Sequence, residues 1–533
     1  MRIYFRVIYI IIVCLIIAGS LQRTYAAGNK PPADTLERTV YNNPVIPGDF
    51  ADPSVIKVGD TFYATGTSSE WAPHFPLFTS TDMLNWKQVG YIFNKQPAWT
   101  ASSFWAPELF YYNNTFYVYY VARRKSDGQS YIGVATSKDP GKGFTDHGVI
   151  IEHGKEAIDA YVLNDNGTLY MTFKAYGLEK RPNEILACKL SVDGLKREGD
   201  YFSLLRDDAR QGMEGQVLMK WNNHYYLFYS AGGCCGLKCS YNVRVARAET
   251  IQGPYKNYEG NPLLSENDAW KCPGHGTFVQ TDNNQFYYLY HAYSKKDDVF
   301  TGRQGMLDEL VWNEYEGWPH FKNGKSPSVN PSLSKSSAGK VNPNNIQDEF
   351  TTAKLPVYWQ WDFRHTTPVI KLKKGDLLLS GKTDTTNHTG TALTVRPVSG
   401  NYEMSAEVVN YNASLKALTL YGDANQAVGI GVIGDKVQLW EVKNNKRTIL
   451  AESYTKQKAP IRLRIFVQAG YQCRFLWSRD GSDWRQLKAP GDQQYYDGSH
   501  LPPWDRSPRP GLLHQGSANA PATFSYFNIT YLD

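Results

Sequence analysis

The stretch EGQVLMKWNNHYYLFYSA, Glu214 to Ala231, reads as a β-hairpin. A mostly apolar run, Gln216 to Trp221, meets a turn at Asn222 and Asn223, and an aromatic run, Tyr225 to Tyr229, follows. The chain repeats the unit. GDTFYATGTS starts at Gly59, NNTFYVYYVA at Asn113, NGTLYMTFKA at Asn166 and NNQFYYLYHA at Asn284. The second residue of each aromatic pair is a ruler: Tyr63, Tyr117, Tyr170, Tyr226 and Tyr287, at intervals of 54, 53, 56 and 61 residues. After each aromatic strand comes a third strand, a polar turn such as STDMLNW (80–86) or ATSKDPGKGF (135–144), and a fourth strand. Five all-β units at a period of about fifty residues predict a five-bladed β-propeller.

Eleven or twelve residues before each ruler tyrosine stand Asp52, Trp105, Asp159, Glu214 and His275. In a propeller the first strand of each blade lines the axis, so these five positions ring one mouth of the axial channel. Three of them are carboxylic acids. Acids gathered around one cavity repel one another and cost stability unless they are used. Taken singly, each has a plainer reading. Asp52 before Pro53 suits a turn, Glu214 beside Gly215 a solvated loop, His275 between glycines a core histidine, and Trp105 a core indole. Their matching places on five repeats outweigh those readings. Paired carboxylates perform glycoside hydrolysis, one protonating the leaving oxygen and the other activating water or attacking. A third negative charge raises a neighbour's pKa and keeps a general acid protonated.

At 533 residues the chain holds more than one domain. Its 37 Tyr and 14 Trp suit sheets, and also sugar binding, because rings stack on sugar faces. The net charge of +6 is spread without a basic stripe, which argues against a nucleic-acid partner. Residues 1–26 read as a signal peptide: Arg2 and Arg6, a short apolar run from Val7 to Leu21, then Thr24-Tyr25-Ala26. The run is short against the roughly 20 residues that span a bilayer, so the mature chain is expected to be exported and free of the membrane. GGCCGLKC (232–239) clusters Cys234, Cys235 and Cys239 near Cys272, and export favours at least one disulfide among these four. Zinc is the rival reading, but adjacent Cys234 and Cys235 lack the usual ligand spacing. Cys188 and Cys473 are expected to be free and buried.

The propeller is assigned to 40–321. Residues 322–345, rich in Ser, Pro, Asn and Lys, read as a linker. In 346–533 the ruler disappears, and alternating runs such as Lys436–Val442, Ile461–Val467 and Gln472–Ser478 predict a jelly-roll β-sandwich. SRDGSDW (478–484) looks like a single Asp-box, a motif that builds a hairpin turn.

The residues also resemble a known family. NPVIPGDFADPSVIKVGDTFYATGTS (43–68), SFWAPEL (103–109), AIDAY (157–161), GMEGQ (212–216), GHGTF (274–278) and YHAY…GRQGMLDELVW (290–312) are similar, in order, to the motifs of glycoside hydrolase family 43. The resemblance implies a five-bladed inverting glycosidase acting on arabinose- or xylose-containing plant polysaccharides or oligosaccharides. By motif, Asp52 would be the general base, Glu214 the general acid and Asp159 the modulator of its pKa. Trp105 would wall the pocket. Arg303 of GRQ would reach sugar hydroxyls, although Asp308 or Glu309 could instead be its partners. His275 would lie near the axis, where a calcium or other cation often sits; no cofactor is required for the chemistry. DEF (348–350), YWQWDFRH (358–365) and KKGDLLL (373–379) resemble the concanavalin-like sandwich appended to family 43 xylosidases and arabinofuranosidases. The function implied is removal of arabinofuranosyl (or xylosyl) residues. The alternatives are an exo-galactanase or a non-catalytic carbohydrate-binding propeller. The Arg-Asp-Pro and Glu-Cys motifs of propeller fructosidases are absent at the corresponding places, and a lone Asp-box does not suit a sialidase.

Overall fold

The computed structural model describes residues 38–532 apart from 314, 331, 335–344, 384, 457 and 492. The stretch read as a signal peptide and most of the second half of the stretch read as a linker lie outside the described residues. Among the described residues there is no α-helix, only two three-residue 3-10 turns.

Five four-stranded antiparallel sheets form the propeller, and in each the chain runs outward strand by strand. Blade 1 begins with Ser54–Val58, blade 2 with Thr100–Tyr112, blade 3 with Ala157–Asp165, blade 4 with Met213–Trp221 and blade 5 with Trp270–Gln280. All five ruler tyrosines fall on second strands. The hairpin turns follow from the asparagines: Asn222 and Asn223 have φ of 45° and 61°, as do Asn113 and Asn114 at 47° and 54°. Two successive left-handed residues match the right-handed twist of the flanking strands, and asparagine tolerates that conformation. The ring closes without sharing a strand between the chain ends. Ile46, ahead of blade 1, exchanges backbone hydrogen bonds with Gly305 of blade 5 at 3.1 and 2.8 Å. Arg38–Val40 pairs with Ser332–Ser334. Part of the stretch read as a linker therefore packs on blade 5, where the Asn43 N–H donates to the Val329 carbonyl at 3.2 Å.

The second domain is a sandwich of a nine-stranded and an eight-stranded sheet. Its core is filled from both inner faces by residues such as Trp359, Leu377, Met404, Ile465 and Phe527. The Asp-box is a turn: the Ser482 and Asp483 N–H groups both donate to Asp480 Oδ1. The end strand of the eight-stranded sheet is Trp71–Ala72, a loop of blade 1, which pairs with Trp361 and Asp362. Trp71 is fully buried and packs edge-on against Tyr421 at 5.9 Å. Burying an indole of about 150–250 Å² is worth on the order of 5 kcal/mol, so this loop fastens propeller to sandwich.

Cys239–Cys272 and Cys234–Cys235 are both disulfides, and Cys188 and Cys473 are free and buried. The first bridge ties the loop after the second strand of blade 4 to the inner strand of blade 5, three residues before His275.

Candidate active site

Each inner strand is irregular where it meets the axis. In blades 2 to 5 the pairing with the second strand is bulged there. A left-handed residue marks the place in every blade: Asp52 (φ 50°), Ala106 (41°), Asp159 (59°), Gly215 (58°) and His275 (38°). A bulge re-aims side chains away from the regular alternation of a strand, and here it turns them to the axis. Gly215 has no room for anything larger, because a Cβ there would sit 2.7 Å from His275 Cγ.

The structure brings Asp52, Asp159, Glu214 and His275 into one cluster. His275 Nδ1 lies 3.4 Å from Asp52 Oδ1 and 3.9 Å from Asp159 Oδ2. The Gly215 N–H donates to Asp159 Oδ2 at 3.0 Å, which ties the blade 3 acid to the backbone beside Glu214. Arg303 is buried and donates from Nη1 to Asp52 Oδ1 at 3.0 Å. Its pairing is thus with Asp52 rather than with Asp308 or Glu309. From Nη2 it donates to the Asp505 carbonyl of the sandwich at 3.1 Å, so one guanidinium joins the two domains at the site.

Four further residues hold this ring. Thr67 Oγ1 donates to Asp52 Oδ2 at 2.6 Å. His291 Nδ1 accepts from the Asp52 N–H at 3.1 Å, which makes that imidazole neutral with its proton on Nε2. Ser230 Oγ accepts from the His275 N–H at 2.8 Å. Lys174 Nζ lies 2.9 Å from Glu214 Oε2 and 3.2 Å from Glu156 Oε1. All four stand four residues beyond the ruler tyrosine of their blade, a second ring legible in the sequence but not read there. Tyr241, whose hydroxyl donates to Glu214 Oε1 at 3.1 Å, carries no such signal.

These contacts set the charges. Burial alone would raise the pKa of Asp52, but the Arg303 charge, His275 and the Thr67 hydrogen bond together hold it well below the usual carboxylate range. Burial pushes Asp159 up to about 6, with the Glu214 charge adding to the rise and His275 and Lys174 opposing it. Glu214 moves the other way. Burial would raise it, yet the charge and hydrogen bond of Lys174 bring it below its ordinary value. Lys174, which the sequence reading did not include, outweighs burial at Glu214.

Trp105 stands at the mouth, half-buried, with the Arg123 guanidinium 5.6 Å from its ring. Facing it edge-on at 6.4 Å is Trp504 from a sandwich loop, 62% exposed. Nothing in the sequence points to Trp504, because only docking of the second domain carries it to the propeller mouth.

Among the described residues no group of three or more His, Cys, Asp or Glu side chains is arranged to hold a metal ion. Calcium takes about six to eight oxygen ligands. His275 offers a ring nitrogen, and its carboxylate neighbours are engaged by Arg303, Thr67 and the Gly215 N–H. This donor set does not fit a calcium cage.

Comparison with known proteins agrees with this architecture. The profile of the glycosyl hydrolases family 43 matches residues 41–319. The chain belongs to family 43. The profile of the β-xylosidase C-terminal concanavalin A-like domain matches residues 347–529. Among curated relatives of this family 43 chain is an extracellular endo-α-(1→5)-L-arabinanase of Bacillus subtilis, 28% identical over 293 residues, 51% of this chain and 87% of the relative. An extracellular exo-α-(1→5)-L-arabinofuranosidase of Cellvibrio japonicus is 29% identical over 311 residues, covering 51% and 86%. A β-xylosidase of Formosa agariphila is 26% identical over 364 residues, covering 60% and 58%. The fold of both domains together is shared with the family 43 protein BlXynB of Bacillus licheniformis, with a TM-score of 0.79 at 21% identity over 93% of this chain and 100% of the other. As a family 43 member the protein is an inverting glycoside hydrolase.

Proposed function

We propose that this family 43 enzyme removes terminal arabinofuranosyl residues from plant polysaccharides or oligosaccharides. The observation that carries the reading is the joint closure of the mouth. Arg303 is held by both Asp52 and the sandwich backbone at Asp505, and the neighbouring Trp504 faces Trp105 across the opening. A mouth bordered on one side by a second domain suits a chain end better than a chain that runs through. The arabinofuranosidase and arabinanase relatives support arabinofuranose at the floor. A xylosyl residue is the second reading, favoured by the β-xylosidase type of the sandwich and by the Formosa agariphila relative.

In this proposal Asp52 is the general base. Arg303 and Thr67 keep it ionised and aimed, and it takes a proton from the attacking water. Glu214 is the general acid. Its side chain is 18% exposed against 7% for Asp159, so of these two acids it is the one that meets the leaving oxygen. Asp159, tied to the backbone beside Glu214 through the Gly215 N–H, modulates the pKa of that acid. Substrate in the mouth displaces water and brings an acceptor oxygen to Glu214, where the proton is spent. Arg303, His275 and Trp105 bind the sugar.

Export belongs to the same proposal. The Bacillus subtilis and Cellvibrio japonicus relatives are described as extracellular, and two disulfides suit an oxidising compartment. No helix among the described residues is long and apolar enough to cross a membrane.

Product analysis on arabinan, xylan and galactan oligosaccharides tests the reading. Single arabinose units, appearing first as the inverted anomer by proton NMR, are the expected result. Internal cleavage to mixed oligomers, or release of xylose or galactose alone, would sink it.

A further inference from the structure

A cavity of about 740 Å³ lies between blade 1 and the sandwich, and none of Asp52, Trp105, Asp159, Glu214 and Arg303 lines it. Its size is that of a small-molecule site. Two arginines line it, Arg396 and Arg509, both contributed by the sandwich. Arg396 Nη1 and Arg509 Nε are buried and lack a hydrogen-bond partner among the described residues. Arg509 spends Nη1 on neutral Gln360 and lies 4.2 Å from the Trp71 ring, while Arg396 lies 5.3 Å from the ring of Phe78. The carboxylate lining the cavity is Asp49, and its oxygens accept from the Arg303 and Ser507 N–H groups at 3.2 and 3.3 Å. Two guanidiniums against one carboxylate leave the buried wall with a net positive charge. Desolvated cations without a paired anion are costly. Burial lowers the pKa of both arginines, Arg509 to about 9, with Asp49 the first opposing charge on each.

The remaining wall is apolar and aromatic. Trp86 and Tyr358 contribute aromatic rings to the lining, while the Gln88 and Gln360 amide nitrogens donate to the Val357 and Pro73 carbonyls. Lys87 and Asn85 at the edge are exposed, so the cavity opens to solvent. Aromatic rings pack on the apolar face of a sugar, and unpartnered guanidinium N–H groups recognise a carboxylate.

We propose that this interdomain cavity is a second ligand site, separate from the catalytic mouth, and that it takes a monosaccharide bearing a carboxylate, a uronic acid. The site adjoins the catalytic base through Thr67, which lines the cavity and donates to Asp52. It does not rest on the sugar specificity proposed above, because its readout is binding and not turnover.

The test is calorimetric titration of the full chain with glucuronate, galacturonate, glucose and inorganic phosphate. The expected result is saturable binding of at least one uronate, with glucose and phosphate at least tenfold weaker. Arg396→Lys, which keeps the charge but loses the fork, and Trp86→Ala, at the edge of the cavity, should each weaken the uronate at least fivefold. Their melting temperatures, measured alongside, should stay near that of the parent. Glu214→Gln should leave uronate affinity unchanged. Absence of uronate binding overturns the proposal. So does equal affinity for glucose or phosphate, loss of binding in Glu214→Gln, which would put the ligand in the catalytic mouth, or full affinity in folded Arg396→Lys and Trp86→Ala.

Discussion

Replacing Lys174 with Met should move the alkaline limb of the kcat/KM profile to higher pH. The reasoning begins with the 2.9 Å contact between Lys174 Nζ and Glu214 Oε2. At an effective dielectric of about 20, two unit charges at that distance attract by about 6 kcal/mol, equivalent to about 4 pKa units at 1.36 kcal/mol each. The full amount is not available, because Lys174 divides its charge between Glu214 and Glu156, 3.2 Å away. With the amine gone, the two acids would otherwise repel, so one takes up a proton. An upward shift of about 1–3 units for Glu214 is the realistic consequence. The apparent pKa of the proton-donating pair rises with it, and the acid stays protonated further into the alkaline range. The profile of kcat/KM reports ionisations of the free enzyme, which is the state in which these contacts are seen. The assay is the pH dependence of kcat/KM on a substrate with a poor leaving group, where protonation is needed. An alkaline limb that stays in place or moves to lower pH would refute the assignment of Glu214, facing Lys174, as the proton donor.

Asp52→Ala should abolish turnover on every substrate, since no leaving group replaces an activated water. Glu214→Ala should cost about 10²–10⁴-fold on natural oligosaccharides and far less on nitrophenyl glycosides, which need little protonation; equal losses on both would reverse the roles. Trp504→Ala should raise KM about three- to tenfold with kcat little changed, the worth of one ring contact at about 0.5–1.5 kcal/mol; steady-state kinetics on oligosaccharides decide it, and an unchanged KM would remove the sandwich from the site. Glu108 is buried beside Ser54, whose hydroxyl donates to its Oε2 at 2.7 Å, and burial raises its pKa to about 8. The unfolded chain loses this proton near pH 4.5 and the folded chain near 8, so stability drains away as pH rises between the two and is lowest above the folded value. Glu108→Gln should therefore raise the melting temperature by at least about 4 °C at pH 8 and scarcely at pH 4.5; a equal effect at both would show that Glu108 is not the titrating group.

Much of the site is periodic, and what is periodic was legible. Asp52, Asp159, Glu214 and His275 stand eleven or twelve residues before the ruler tyrosines because each blade places that residue where its inner strand meets the axis. Thr67, Lys174, Ser230 and His291 stand at an equal offset after them and could have been read by the same rule. They escaped because threonine, lysine, serine and histidine share no chemistry that marks them as a set. The charge state of Glu214 was not legible either. It depends on an amine from the neighbouring blade whose direction is set by sheet packing.

The sandwich strands Lys436–Lys443, Ile461–Gln468 and Gln472–Ser478 were visible from alternation, whereas Thr391–Val395 is buried at every position and shows none. By itself the sequence determined the repeat, the blade number, the ring of acids and the clustered cysteines, all local patterns with a fixed spacing along the chain. Tertiary structure alone decided the partner of Arg303, the arrival of Trp504, the insertion of Trp71–Ala72 into the sandwich sheet and the arginine-lined cavity between blade 1 and the sandwich. Each of these joins residues hundreds of positions apart. Such contacts follow from how two separately patterned domains bury their remaining apolar surface against each other, and no period in the chain encodes that docking.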